Sequence, residues 1–152
     1  MDDLKPDINK IKAMLQVAFT VASLSTCKRR SVGAVITDDE FNILSTGYNG
    51  VPKKYPHCKA GHTECSDKKS VPGLDLESCY AIHAEQNALI KLADHNKAKM
   101  IFTTTQPCIH CAKMIANTGI KHIYYVTDYS HSGVANLFID CGITMEKVNY
   151  VS

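Results

Sequence analysis

Two short stretches, His83-Ala84-Glu85 and Pro107-Cys108-Ile109-His110-Cys111, constrain this chain more than any other feature in it. One histidine and two cysteines offer three soft or borderline ligands of the kind that hold tetrahedral Zn²⁺. Each falls near the start of an expected helix, where the helix dipole and free N–H groups favour thiolate over thiol at the cysteines. Two thiolates offset the ion's two positive charges. Three protein ligands leave a fourth position for water, the arrangement of a catalytic rather than a structural zinc. Glu85, two residues beyond His83, is close to the metal yet free to act on its water as a proton carrier. A zinc ribbon would need a second Cys-x-x-Cys, which the sequence lacks. A redox pair would leave His83 and Glu85 without a purpose.

The rest of the composition agrees with metal chemistry. The N-terminus, Met1-Asp2-Asp3-Leu4-Lys5, is charged and lacks the apolar core of a signal peptide, and no apolar run reaches bilayer length. A cytoplasmic location is therefore expected, where clustered Cys and His point to metal or catalysis rather than to disulfides. The seven cysteines are an odd number, so at least one has no partner in any all-disulfide scheme. A net charge of +2 is too small to make nucleic acid or a membrane the main partner. The basic stretches Lys28-Arg29-Arg30 and Lys68-Lys69 read as solvated faces. The 152 residues fit one domain, 1–152, large enough to bury a substantial core.

Local patterns give an α/β order. Residues 8–24 carry Ile8, Ile11, Leu15, Ala18 and Ala22 at helical spacing, with Asp7 as cap. Val32–Thr37 and Phe41–Gly47 read as strands, and the polar Asp38-Asp39-Glu40 between them suits an antiparallel hairpin. Residues 48–79 are irregular and rich in Gly and Pro, and they hold three cysteines and two histidines. Such long irregular segments in compact domains are usually functional. A helix then starts near His83, with Ala84, Ala88, Leu89 and Leu92 on one side. Met100–Thr105, Ile120–Thr127 and Ile143–Val151 read as strands, Cys108–Asn117 and Val134–Cys141 as helices. This alternation predicts parallel strands in the second half.

The His-x-Glu and Pro-Cys-x-x-Cys pattern is that of zinc nucleobase deaminases. Over residues 10–150 the chain resembles the cytidine deaminase-like superfamily and, within it, the deoxycytidylate (dCMP) deaminases. Ser25-Thr26-Cys27, Val32-Gly33-Ala34-Val35, Gly47-Tyr48-Asn49-Gly50, Ile82-His83-Ala84-Glu85, Gln106-Pro107-Cys108 and Ala116-Asn117-Thr118-Gly119-Ile120-Lys121 carry the resemblance. The resemblance implies a three-layer α/β/α fold, a five-stranded mixed sheet with helices on both faces. It implies hydrolysis of dCMP to dUMP and ammonia by a zinc-activated water, with Glu85 as proton shuttle. Carried over by position, Asn49 is expected to hydrogen-bond the sugar or base, and the backbone around Val35 and Ala84 to read the pyrimidine. Arg29 is the candidate for the 5′-phosphate, which a guanidinium can grip with two hydrogen bonds. Its alternative is a solvent-exposed arginine beside Lys28 and Arg30. Tyr129 is expected against the nucleotide or in the core, and Ser25 and Thr26 around the phosphate or behind the site.

Cys58, His62, Cys65 and Cys79 can close a second, structural zinc site with four protein ligands, as related dCMP deaminases often do; His57 is the alternative to His62. Many dCMP deaminases are hexamers that dCTP activates and dTTP inhibits, at a site near the Gly-Tyr-Asn-Gly segment. Gly50, Val51 and Pro52 preserve part of that region, where a triphosphate would bring Mg²⁺. Some family members have an arginine about nine residues after the catalytic glutamate; here that position is Asp94, with Lys91 nearby to compensate. The rival readings are a deaminase of another base (tRNA adenosine, cytidine or guanine) and a non-catalytic zinc-binding module.

Overall fold

A computed structural model describes residues 6–27, 30–55, 80–129 and 133–151. The described elements run α1 (Ile8–Ala22), β1 (Gly33–Thr37), β2 (Ile43–Tyr48), α2 (Ala84–Ile90), β3 (Met100–Thr105), α3 (Ile109–Ala116), β4 (His122–Thr127), α4 (Val134–Asp140) and β5 (Thr144–Lys147). Among the described residues no helix is long and apolar enough to cross a membrane.

The strands form one sheet in the order β2-β1-β3-β4-β5. β1 is antiparallel to both β2 and β3, whereas β3, β4 and β5 are mutually parallel. Helical crossovers join the parallel strands, and a short turn joins β1 to β2. Alternation along the strands splits the core in two. Ala34, Ile36, Ile101 and Ile123 meet Ala84 and Ala88 of α2, Ala112 and Ile115 of α3, and Val134 and Phe138 of α4. Val35, Phe102 and Tyr124 on the other face meet Ile11, Leu15 and Ala18 of α1. The result is the expected three-layer α/β/α arrangement on a mixed five-stranded sheet.

α1 starts at its expected cap, where Asp7 Oδ1 accepts the Asn9 N–H at 2.9 Å, but it stops at Ala22 rather than at residue 24. β2 begins two residues later than its apolar run. Asp38 Oδ1 accepts the N–H groups of Glu40 and Asn42, each at 2.9 Å, and the turn so formed puts Phe41 at φ +65°. That backbone cannot join a ladder, and the Phe41 ring turns instead to Phe102, 6.0 Å away between centroids. The last strand ends at Lys147, well short of residue 151. Val148 buries its side chain in the α1 layer and Tyr150 stacks on Phe19 of α1.

β2 and α2 lie unusually close, which matters for the site that follows. A Cβ at Gly47 would strike the Ala84 carbonyl oxygen and the Ala88 nitrogen, so only glycine permits the approach. Ser45 Oγ donates to the Ala88 carbonyl and Asn87 Nδ2 to the Tyr48 carbonyl, both at 2.8 Å. Beyond β2, Gly50 and Ile82 exchange two backbone hydrogen bonds of 3.1 and 2.8 Å, closing the base of the excursion between them.

Candidate metal centre

His83 is the N-cap of α2, and its backbone N–H donates to Gln86 Oε1 at 2.9 Å. Cys108 caps α3, and Cys111 follows in the first turn, where the Ala112 N–H donates to the Cys108 carbonyl at 2.8 Å. Both helices pack on the same face of the sheet, so their N-termini converge. His83 Nδ1 lies 3.4 Å from Cys108 Sγ and 3.3 Å from Cys111 Sγ. Tetrahedral zinc with ordinary Zn–N and Zn–S bonds holds such atoms about 3.6 Å apart. The three donors therefore fit the ion with little movement, and their chemistry is that of a zinc site with one position left over.

The three side chains are strongly coupled to one another. A hydrogen bond from Cys111, then one from His83, holds the Cys108 thiol at about 3, far below an ordinary thiol. The same pairing with Cys108, together with burial, pushes the Cys111 thiol up. His83 is raised by its bond to Cys108. Such a thiolate–imidazole set is ready to exchange protons for a divalent cation.

Glu85 occupies the second residue of α2 and is only 4% exposed, so its carboxyl is removed from water. Cys111 Sγ lies 3.6 Å from Glu85 Oε2. Burial raises the Glu85 carboxyl above its ordinary range.

The other sequence candidates divide by position. Asn49 lies buried at the end of β2, and its side chain is engaged with the chain itself. Its Oδ1 accepts the Val32 N–H at 2.9 Å, and its Nδ2 donates to the Arg30 carbonyl at 2.8 Å. Ser25 Oγ donates to the Asn49 carbonyl at 2.9 Å, with Thr26 next in the chain. Ala84 is buried beside His83. Val35 stands apart: it lies mid-strand between β2 and β3 with its side chain in the α1 layer, on the opposite face from the metal ligands. Tyr129 follows β4, and its N–H donates to Gln106 Oε1 at 3.2 Å. Gly50 forms the bridge to Ile82, Val51 and Pro52 follow it, and Lys91 Nζ donates to the Thr46 carbonyl at 3.1 Å. Arg29 and the four candidate ligands Cys58, His62, Cys65 and Cys79 lie outside the described residues.

Two residues enter the site without a role assigned from sequence. The Arg30 guanidinium lies over the Tyr129 ring, 5.2 Å from its centroid, and its positive charge bears on His83. Gln106 braces Tyr129. Gln106 stands in the recognised Gln-Pro-Cys stretch, but Arg30 belongs to a basic triplet that gives no hint of an aromatic partner near residue 129.

Comparison with known proteins agrees with this geometry. The deoxycytidylate deaminase of Schizosaccharomyces pombe is 30% identical over 136 residues, 88% of this chain and 42% of that protein. ComE operon protein 2 of Bacillus subtilis is 37% identical over 132 residues, 84% of this chain and 65% of that protein. The chain thus spans about two fifths to two thirds of the length of these relatives. The dCMP deaminase of the cyanophage S-TIM5, solved in complex with dCMP and dUMP, superposes with a TM-score of 0.74 at 31% identity. That match covers 95% of this chain and 99% of the phage chain. A family profile described as the cytidine and deoxycytidylate deaminase zinc-binding region matches residues 8–127, taking in His83, Glu85, Cys108 and Cys111 alike. The chain belongs to that family.

Proposed function

We propose that this chain is a zinc-dependent dCMP deaminase, converting dCMP and water to dUMP and ammonia in pyrimidine deoxynucleotide metabolism. The observation that carries the reading is Glu85, a buried carboxyl beside a His/Cys/Cys donor set that fits zinc. A structural metal site has no use for that carboxyl. Support for the substrate comes from the phage relative, which is similar over nearly its whole length and is described with dCMP and dUMP.

Zinc, when bound, supplies a water acidic enough to be deprotonated near neutrality. With zinc held by His83, Cys108 and Cys111, Glu85 would take a proton from the water, pass it to N3 of the cytosine as C4 is attacked, and then carry the second proton to the departing amine. The fold keeps solvent from Glu85, so the proton goes to the base rather than to bulk water. Asn49 and the Ala84 backbone orient the pyrimidine and sugar, with Ser25, Thr26 and Tyr129 around the rest of the nucleotide. Residues 1–152 act as one catalytic domain in this reading, in the cytoplasm.

Family resemblance extends the proposal to a second, structural zinc on Cys58, His62, Cys65 and Cys79. It also extends to a homo-oligomer, a hexamer in many relatives, controlled by dCTP and dTTP with Mg²⁺ near Gly50, Val51, Pro52 and Lys91. The decisive experiment replaces Glu85 by Gln. Ammonia release from dCMP should fall by at least about 10²–10⁴-fold while one zinc per catalytic site is retained. Unchanged ammonia release would sink the mechanism. Running the same assay on CMP, deoxycytidine and cytosine, with dCTP and dTTP added in turn, tests substrate and control together.

A further inference from the structure

We propose that Gln86 is a positioning residue for the metal: its side chain fixes the backbone of His83 and so presets the imidazole toward Cys108 and Cys111 before zinc binds. The proposal rests on the zinc reading of the donor set and not on the identity of the base that is deaminated.

The two sides of the donor set are approached differently. Cys108 follows directly from the sheet: Thr105 and Thr127 close the β3–β4 ladder, and the next residue, Gln106, donates its N–H to the Thr127 carbonyl at 2.8 Å. Pro107 then fixes its own φ, so little freedom is left before the ligand. His83 instead ends the excursion that leaves the fold at Gly50 and returns at Ile82. It stands in extended conformation, φ −70° and ψ 154°, at the point where that chain turns into α2. Its N–H lies outside the helical ladder, so the direction of the ring depends on what holds the surrounding peptide groups.

Gln86, at the third position of α2, supplies that hold. Its Oε1 accepts the His83 N–H at 2.9 Å, the reach-back half of a capping box. Histidine is not among the residues that cap a helix well, so the ligand required at this position does little for the helix start by itself. The Ile82 carbonyl, on the same peptide group as the His83 N–H, accepts the Gly50 N–H at 3.1 Å. The His83 carbonyl accepts the Asn87 N–H at 3.0 Å. Of these anchors only the one from Gln86 is made by a side chain, so a substitution can remove it and leave the others in place. The outcome of this bracing is a ring whose Nδ1 already lies 3.4 and 3.3 Å from the two sulfurs.

Zinc affinity, measured by competition with a chromophoric chelator, tests the proposal in the wild type, Gln86→Met, Gln86→Glu and Ser45→Ala. Gln86→Met keeps the length of the side chain and loses the acceptor. Its zinc dissociation constant should rise about 10-fold, the lower end of the range for groups that orient a metal ligand. Gln86→Glu returns an acceptor at the same reach and should bind zinc at least as well as the wild type. Ser45→Ala removes the hydrogen bond to the Ala88 carbonyl that ties α2 to β2, without touching the His83 N–H, and should leave zinc affinity unchanged. Unchanged affinity in Gln86→Met overturns the proposal, whatever that variant does to the melting temperature. So does a Gln86→Glu protein as weak as Gln86→Met, or an equal loss in Ser45→Ala, which would mark a general loosening of α2. Gln86→Ala, which favours the helix, takes the place of Gln86→Met if that variant does not fold. A wild type that takes up no zinc would overturn this proposal together with the metal reading. A zinc-loaded wild type that releases no ammonia from dCMP, with affinity still dependent on Gln86, would defeat the proposed reaction and leave this assignment standing.

Discussion

Glu85 and Asn49 are both polar, both buried, and satisfied in opposite ways. Asn49 spends its amide on two backbone groups of its own chain, the Arg30 carbonyl and the Val32 N–H. Glu85 meets its own backbone N–H and the Cys111 sulfur, 3.6 Å away, and so retains carboxylate capacity for a reacting molecule. Asn49→Ala strands both backbone groups and should lower stability by about 1–3 kcal/mol, read as a shift in the urea midpoint. The sequence makes the metal ligands and Glu85 legible because their chemistry is unusual wherever it occurs: a His-x-Glu and a Pro-Cys-x-x-Cys have few other uses. Arg30 is illegible for the converse reason. Basic triplets are ordinary on surfaces, and the ring that gives this one its orientation sits about a hundred positions further on.

At the scale of elements, the β1–β2 turn shows how a side chain can overrule a pattern. The apolar run at Phe41 reads as strand, yet Asp38 gathers the N–H groups of Glu40 and Asn42 and the Asn42 amide at 2.8 Å. The Asn42 side chain, first, and its backbone N–H hold the Asp38 carboxyl below its ordinary value of 3.8. A carboxylate depressed in the folded state stabilises it above the unfolded value, and that contribution is lost as the pH falls through the folded one. Asp38→Ala should therefore lower the melting temperature at neutral pH, and the difference from wild type should shrink as the pH drops below 3.8; a constant difference would argue against the charge. β5 shows a second limit of local reading. Its β-branched and aromatic residues extend to Val151, but only Thr144–Lys147 find ladder partners, because Val148 is drawn into the α1 layer.

For the molecule as a whole, the sheet separates two tasks. Its α2–α3 face carries the donor set, and its α1 face carries an aromatic stack, Phe41, Phe102 and Tyr124, with Phe102 in the middle at 6.0 and 5.3 Å from its neighbours. Removing Phe102 should cost about 3–5 kcal/mol of stability, since the ring is fully buried in rigid surroundings. Zinc stoichiometry in the folded Phe102→Ala protein should stay unchanged, because no ligand stands on that face. Loss of zinc in a folded variant would show that the two layers are coupled. The α/β alternation and the parallel strands of the second half were readable from helical and strand periods, and the three-layer arrangement from the family resemblance. Which helix covers which face was not, because it depends on where β1 inserts, next to β3.

The paired hydrogen bonds between Gly50 and Ile82 have a consequence for how such a chain can change length. Residues 51–81 leave and re-enter at one point, directly before the first metal ligand. Closing a flexible chain at a fixed base costs little more as it lengthens: each doubling adds only about 0.6 kcal/mol of closure entropy. Insertions or deletions inside it need not move His83, since the clasp at its base sets the register of α2.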